Sequence, residues 1–235
     1  NKAAHEMKDR IEKMLSEQQF TPWVSTIHSL CVRILREDIQ HMGYPKNFTI
    51  MDADDQKSVV KEACKQLGID NSNITPAGYV DYISNNKSAE IDAEEAKNMA
   101  GQFADDKDKA KVYAYYLDRQ KQMSALDFDD LILWTVKMFK KFPEVMDKWQ
   151  RRFEYVLVDE FQDTSLLQNL IITRLARPGT VFRVGDVKQS IYRFRQAKPA
   201  LMRGLMQDAS VRQITLEHNY RSKENVVSCC NALFS

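Results

Sequence analysis

The chain has 235 residues, of which 43% are hydrophobic and 29% charged, with a formal net charge of +1. This length fits one large domain or two small ones, and the near-zero charge means that any nucleic-acid surface must be a local patch. The longest apolar runs, such as residues 131–134, fall far short of the roughly 18 residues that span a bilayer, and no signal peptide is visible. The four cysteines form no Cys-x-x-Cys pair. We therefore expect reduced thiols in a cytoplasmic protein.

An apolar stretch that leads into polar residues and then a helix occurs four times along the chain. The four stretches are residues 23–27, 155–158, 180–184 and 213–216. If all four are parallel strands, their polar ends gather at one edge of a sheet, because parallel strands share a direction. The sequence thus predicts an α/β fold with a ligand site at that edge.

The first stretch is followed by His28 and by a predicted helix over residues 30–39, after which the character of the chain changes. Residues 44–125 are typical of helices, with few strand signals. Asp52 or Asp54 can cap a helix that ends at Gly68, and Thr75-Pro76 can begin the next helix. This pattern predicts a helical insertion into the α/β domain.

A longer helical stretch is expected from about residue 92 to residue 123, with a break near residues 105–108. Its aromatic side chains could stack on nucleobases, but aromatic residues on a helix more often belong to the core. We therefore expect core positions for Tyr113, Tyr115 and Tyr116.

The acidic run that follows, residues 127–130, allows a metal site or a helix cap. Asp127 followed three residues later by Asp130 has the spacing of a capping box at the start of a helix over residues 131–139. We favour the cap over the metal site.

The strand predicted at residues 155–158 leads directly into two carboxylates, Asp159 and Glu160. Its unbroken apolar character predicts a strand buried on both faces of a parallel sheet, so the carboxylates should stand at the carboxyl edge. There Asp159 can bind Mg²⁺ and Glu160 can deprotonate a water molecule. The alternative is a polar turn before a helix over residues 166–176, capped by Asp163, Thr164 or Ser165.

Cations and aromatic residues alternate in the segment 183–198, which contains five Lys or Arg residues, two aromatic residues and a single acid, Asp186. Cations neutralise phosphates and the faces of aromatic rings stack on bases. This combination is typical of segments that bind single-stranded nucleic acid. A solvated basic helix is the alternative. Further along, Arg221 follows the fourth strand and could stabilise charge on a transferred phosphoryl group, or it could be an ordinary surface arginine.

These segments, in this order, resemble motifs of the superfamily 1A DNA helicases of the UvrD/Rep/PcrA type. The resemblance extends over nearly the whole chain. Residues 1–7 resemble part of motif Ia, residues 25–29 motif Ib, residues 159–164 motif II, residues 185–195 motif III and residues 216–222 motif IV.

The resemblance implies a RecA-like domain 1A, incomplete in this chain, that is interrupted by a helical domain 1B. Domain 1A would comprise residues 1–43 and 126–219, domain 1B residues 44–125, and domain 2A would begin with residues 220–235.

The resemblance also implies ATP as the nucleotide and assigns residues to it. Asp159 would bind Mg²⁺ and Glu160 would activate the attacking water. The other nucleotide contacts would be Gln162 and Gln189, which sense the γ-phosphate, Tyr220, which stacks near the adenine, and Arg221, which touches the γ-phosphate.

On the DNA side, the resemblance implies 3′ to 5′ movement along single-stranded DNA, action at junctions with duplex DNA, and a role in replication, repair or recombination. Stacked bases would contact Tyr192, Phe194 and Arg195, and the path of the strand would be lined by Lys2, Thr26 and His28.

The sequence departs from the family pattern in two respects. Val187-Lys188 and Phe194 stand where UvrD and PcrA usually have Ala-Asp and Trp, a form closer to the helicase-nuclease subunits AddA and RecB.

The second departure is the phosphate loop. No two of the seven glycines are five residues apart, so the loop Gly-x-x-x-x-Gly-Lys is absent from this sequence. We expect that loop before Asn1 and motifs V and VI after Ser235, and we expect the isolated segment to be inactive. A helicase-nuclease and a non-enzymatic module that binds single-stranded DNA remain alternatives.

Overall fold

The computed structural model describes residues 2–15, 22–70, 74–101, 103–190, 197–216, 218 and 222–234. These residues form a mostly helical structure with two small parallel sheets. The α-helices are α1 (Lys2–Met14), α2 (Ile27–Asp38), α3 (Ala53–Leu67), α4 (Pro76–Ser88), α5 (Ala93–Met99), α6 (Ala104–Gln122), α7 (Phe128–Lys141), α8 (Pro143–Gln150), α9 (Leu166–Leu175), α10 (Pro199–Gln207) and α11 (Glu224–Phe234). Within these ranges, no helix combines the length and the apolar character needed to cross a membrane.

Four short strands pair in parallel as two separate sheets. The strands are β1 (Thr49–Ile50), β2 (Ala125–Leu126), β3 (Val156–Val158) and β4 (Val181–Arg183). β1 pairs with β2 at the two ends of the helical stretch, and β3 pairs with β4 so that Val158 lies opposite Arg183. The coarse prediction of a chain that mixes helices with parallel strands is confirmed.

The predicted helix starts are confirmed where the signal was a cap. Asp52 and Asp127 each cap a helix with a complete capping box, and Thr75 accepts a hydrogen bond from the Gly78 amide. Of the three candidate caps before α9, the structure uses Ser165. A cap binds amides only two or three residues away, and so it can be read from a short segment of sequence.

The apolar side chains form two hydrophobic clusters. One cluster joins α2 with α7, α8 and α9, and Trp149 is fully buried in it. The other cluster joins α3 to α6 and contains Tyr79. Tyr113 and Tyr116 are buried in this second cluster, and Tyr115 packs against it partly buried, as predicted for core residues.

Two of the four predicted strands are wrong. Residues 23–26 form no strand and Ile27 already belongs to α2, while residues 213–216 are irregular, with Ile214 65% and Leu216 83% exposed. A strand requires a lateral hydrogen-bonding partner, and no described residue provides one for either stretch.

The prediction that the strand before Asp159 is buried on both faces is also wrong. Leu157 is 73% exposed and its cross-strand partner Phe182 is 51% exposed, whereas Val156 and Val158 are half-buried. No described element covers the face that carries Leu157 and Phe182.

The long helical stretch is divided between the end of α5 at Met99 and the start of α6 at Ala104, before the predicted position of 105–108. Asp105 and Asp106 occupy the first turn of α6, where carboxylates interact favourably with the helix dipole. The acidic residues therefore begin a helix at the place where the sequence pattern predicts an interruption.

Candidate functional site

The carboxyl ends of β3 and β4 lie side by side and bring two of the predicted polar segments together. The Val184 amide donates to the Val158 carbonyl at 2.8 Å, and the Phe161 amide donates to the Val184 carbonyl at 2.9 Å. These bonds place Asp159 and Glu160 next to Gly185, which follows the second strand.

Asp159 and Glu160 form an exposed turn at this edge. Asp159 Oδ1 accepts a hydrogen bond from the Glu160 amide at 2.9 Å. Glu160 has φ 51° and ψ 39°, in the left-handed region that non-glycine residues seldom adopt. Such conformations concentrate at functional sites, where the surrounding structure holds them in place.

Gln162 is 1% exposed and connects the two strand ends. Its Nε2 donates to Glu160 Oε2 at 2.6 Å, and its Oε1 accepts from the Asp186 amide at 3.1 Å. The Asp186 carboxylate continues the chain by accepting from Gln189 Nε2 at 3.0 Å. We call this series, from Glu160 through Gln162 and Asp186 to Gln189, the Gln162 relay.

Gly185 has no side chain and therefore leaves room for the side chain of Gln162. A Cβ atom at position 185 would overlap Gln162 Oε1 and would lie 3.1 Å from Met202 Sδ and 3.2 Å from the Gln162 amide nitrogen. Only glycine therefore allows the second strand end to approach the buried amide this closely.

The Asp159 carboxylate at this edge offers oxygen ligands of the kind that Mg²⁺ prefers. The described residues contain no group of three or more His, Cys, Asp or Glu side chains that could hold a metal. A cation here would use the Asp159 carboxylate and retain water ligands, which is how proteins usually hold Mg²⁺.

A second group of predicted residues lies at the start of α2. Thr26 caps this helix by accepting from the Ser29 amide at 3.2 Å. His28 is half-buried, and burial lowers the pKa of its imidazole. The ring is therefore neutral at pH 7, when it can both donate and accept hydrogen bonds.

Phe128 is a neighbour of His28 that the sequence motifs do not indicate. The two rings meet edge to face with centroids 5.9 Å apart, and Phe128 is 51% exposed. It is the first residue of α7, directly after the capping residue Asp127. The available signal in the sequence is an aromatic residue directly after a predicted capping residue.

Of the other predicted site residues, Lys2 is the one that lies in the described part of the chain. Lys2 is exposed on α1. The other five predicted site residues lie outside the described residues: Tyr192, Phe194, Arg195, Tyr220 and Arg221.

The chain belongs to the UvrD/REP helicase N-terminal domain family, whose match covers residues 1–210. It is similar to the protein named ATP-dependent DNA helicase PcrA of Bacillus subtilis (strain 168), with 41% identity over 235 residues, which cover 98% of this chain and 31% of that relative. The protein of the same name from Staphylococcus aureus (strain Mu50 / ATCC 700699) is 40% identical over 237 residues, covering 98% of this chain and 32% of the relative. The chain thus spans about a third of the length of these relatives.

Proposed function

We propose that this chain is the part of an ATP-dependent DNA helicase that carries its water-activating carboxylate and part of its DNA-binding face. The observation that carries the proposal is the Gln162 relay, which connects a carboxylate at one strand end to Asp186 and Gln189 at the next. Such a connection lets the state of a bound nucleotide alter the segment that follows Gln189. Family membership and the PcrA relatives support the same conclusion.

Each side chain at the strand ends has a separate task in this proposal. Glu160 takes the proton of the attacking water, and Gln162 orients Glu160 through their 2.6 Å hydrogen bond. Asp159 holds Mg²⁺, which when bound would neutralise phosphate charge. The other proposed nucleotide contacts are Gln189 and Arg221 at the γ-phosphate and Tyr220 near the adenine.

The proposed domain division places the RecA-like domain 1A at residues 1–43 and 126–219, the helical domain 1B at 44–125 and the start of domain 2A at 220–235. Two separate hydrophobic clusters support two domains, because a domain is built around its own core. Tyr44 and Phe48, which this division gives to 1B, pack in the cluster of 1A.

The proposed DNA face consists of residues at the starts of α2 and α7 together with the basic aromatic segment. Thr26 and His28 offer hydrogen-bonding groups, and the exposed ring of Phe128 offers a surface for stacking on a base. The face also includes Lys2, Tyr192, Phe194 and Arg195.

Replacing Phe128 with alanine in the full-length parent should weaken binding of single-stranded DNA. Loss of one base–aromatic stack costs about 1–3 kcal/mol, which is roughly a 5- to 150-fold rise in Kd. Fluorescence anisotropy of a labelled oligonucleotide at fixed salt measures the change. Phe103→Ala removes a comparably exposed ring (78%) from the start of α6 and should leave the Kd unchanged. Equal affinities for both variants would exclude Phe128 from the DNA face.

We further propose that the full-length parent moves 3′ to 5′ and opens duplex DNA next to a single-stranded tail, in the cytoplasm. Strand-displacement assays with matched 3′-tailed and 5′-tailed duplexes measure the direction. ATP-dependent displacement of the 3′-tailed substrate is expected, and selective displacement of the 5′-tailed one would contradict the proposed direction.

The segment after β4 favours a second candidate, a helicase-nuclease of the AddA type. The residues in its favour are Val187, Lys188 and Phe194, which depart from the pattern usual in UvrD and PcrA. Metal-dependent degradation of DNA by the purified full-length parent would support this candidate over a helicase without nuclease activity.

A further inference from the structure

Lys87 is a fully buried lysine for which the proposed reaction has no use. It lies on α4, and its Nζ donates to Asp127 Oδ2 at 2.6 Å, to Asp130 Oδ2 at 2.7 Å and to Gln120 Oε1 at 2.9 Å. These three acceptors satisfy all three N–H groups of the ammonium. The ring centroid of Tyr116 lies 5.0 Å from the same nitrogen.

The two carboxylates that hold Lys87 are also the capping box of α7. The Asp130 amide donates to Asp127 Oδ1 at 2.9 Å, and the Asp127 amide donates to Asp130 Oδ2 at 3.1 Å. Tyr116 donates its hydroxyl to Asp127 Oδ2 at 2.8 Å. The ammonium of one helix therefore fixes the first turn of another.

The charges of this cluster are strongly coupled. Burial opposes ionisation of Asp127, but the charge and hydrogen bond of Lys87 outweigh burial and lower the pKa of this carboxyl. Burial raises the pKa of Asp130 to about 6 against the attraction of Lys87. Asp127 is therefore the more strongly ionised of the two carboxylates beside the ammonium, and loss of Lys87 would leave its charge buried without a counter-ion.

Phe128 stands between the two capping residues, and its ring contacts His28. We propose that Lys87 is a positioning residue for DNA binding, which acts through Asp127 and Asp130 to hold the Phe128 ring beside His28. This inference rests on the proposed function, in which that face binds single-stranded DNA. Lys87 itself is buried and would not touch the DNA.

A purely stabilising role is the competing explanation, because removal of one partner of a buried ion pair leaves the other charge uncompensated. One observation weighs against it: the end of α4 is also tied to α7 by a second pair, in which Lys140 Nζ lies 2.7 Å from Glu90 Oε1. That pair lies at the far end of α7, away from Phe128, and so provides a matched control.

The test uses the full-length parent with Lys87→Met and Lys140→Met. The probe is an oligothymidylate that contains one 2-aminopurine, whose fluorescence reports stacking of that base. Circular dichroism measures whether each variant is folded. Lys87→Met should remain folded, bind at least about 5-fold more weakly, as expected for one lost stack, and show a reduced stacking signal. Lys140→Met should bind like the wild type. In a Phe128→Ala background, Lys87→Met should cause no further loss, because both changes remove the same contact.

Wild-type affinity and stacking signal in folded Lys87→Met would overturn the inference. If that variant does not fold, Lys87→Met combined with Asp127→Asn removes the charge left without a counter-ion, keeps a side chain that can cap α7, and decides the matter by the same two readouts. Failure of both variants to fold would also overturn the inference, since Lys87 would then be required for folding itself. If the wild-type protein does not bind the probe, the proposed DNA-binding function fails, which is a separate result.

Discussion

Glu160→Gln in the full-length parent is expected to abolish ATP turnover while nucleotide binding is retained. The amide keeps the size of the side chain and an oxygen that can accept the hydrogen bond from Gln162 Nε2, so the local structure should persist. An amide cannot take a proton from water, however, and loss of a general base typically lowers the rate by about 10²- to 10⁴-fold.

Phosphate release under single-turnover conditions, together with the Kd of a fluorescent ATP analogue, separates the two effects. Glu154→Gln is the matched control, because Glu154 is an exposed carboxylate that lies ahead of β3, at the opposite end of the strand from Glu160. The control should keep wild-type turnover. Wild-type turnover in Glu160→Gln would refute the assignment of the general base.

Gly185→Ala is expected to impair turnover strongly with only a moderate loss of stability. The new methyl group would overlap the Gln162 side-chain oxygen, which must then move away from the Asp186 amide and would disturb the hydrogen bond to Glu160. Overpacking of this kind costs about 1–3 kcal/mol. Because the general base loses its orienting partner, we expect turnover to fall by at least about 10-fold.

Gly204→Ala provides the control for this change. A Cβ atom at position 204, inside α10, would meet nothing within 4 Å, and alanine favours a helix more than glycine does. Turnover should be unchanged and the melting temperature equal or higher. If Gly185→Ala had the same turnover as Gly204→Ala, the Gln162 relay would have no part in catalysis.

The features that could be predicted from the sequence are those determined by neighbouring residues. The caps at Asp52, Thr75 and Asp127 act on amides of the same turn, and all three predictions are confirmed. The juxtaposition of Asp159 with the end of β4 was also predictable, because an unbroken apolar run followed by carboxylates is typical of a parallel strand that ends at a sheet edge.

The features that could not be predicted depend on residues distant in the sequence. Residues 23–27 and 213–216 have the composition of strands, but composition does not provide the lateral partner that a strand needs. The spacing of Asp127 and Asp130 predicts a cap correctly. The hydrogen bond that Lys87 donates to Asp127 joins residues 40 positions apart, however, and no local pattern indicates it. The left-handed conformation of Glu160 likewise comes from the surrounding structure, since nothing in the residue itself favours it.

The two hypotheses drawn from the sequence around Phe128 give this residue no role. The metal site and the helix cap, the two hypotheses for residues 127–130, concern only the carboxylates. The importance of the exposed phenylalanine between them follows from the position of its ring beside His28, which only the folded structure reveals. The roles assigned to the basic aromatic segment and to Arg221 remain predictions.

The most direct test of the proposed function is ATP hydrolysis by the full-length parent with Mg²⁺, measured with and without single-stranded oligothymidylate. We predict that DNA raises turnover and that this stimulation is lost in Glu160→Gln, which has no general base. Salt-dependent DNA binding that has no effect on turnover, or that occurs without any turnover, would contradict the proposed function and favour a non-enzymatic DNA-binding module.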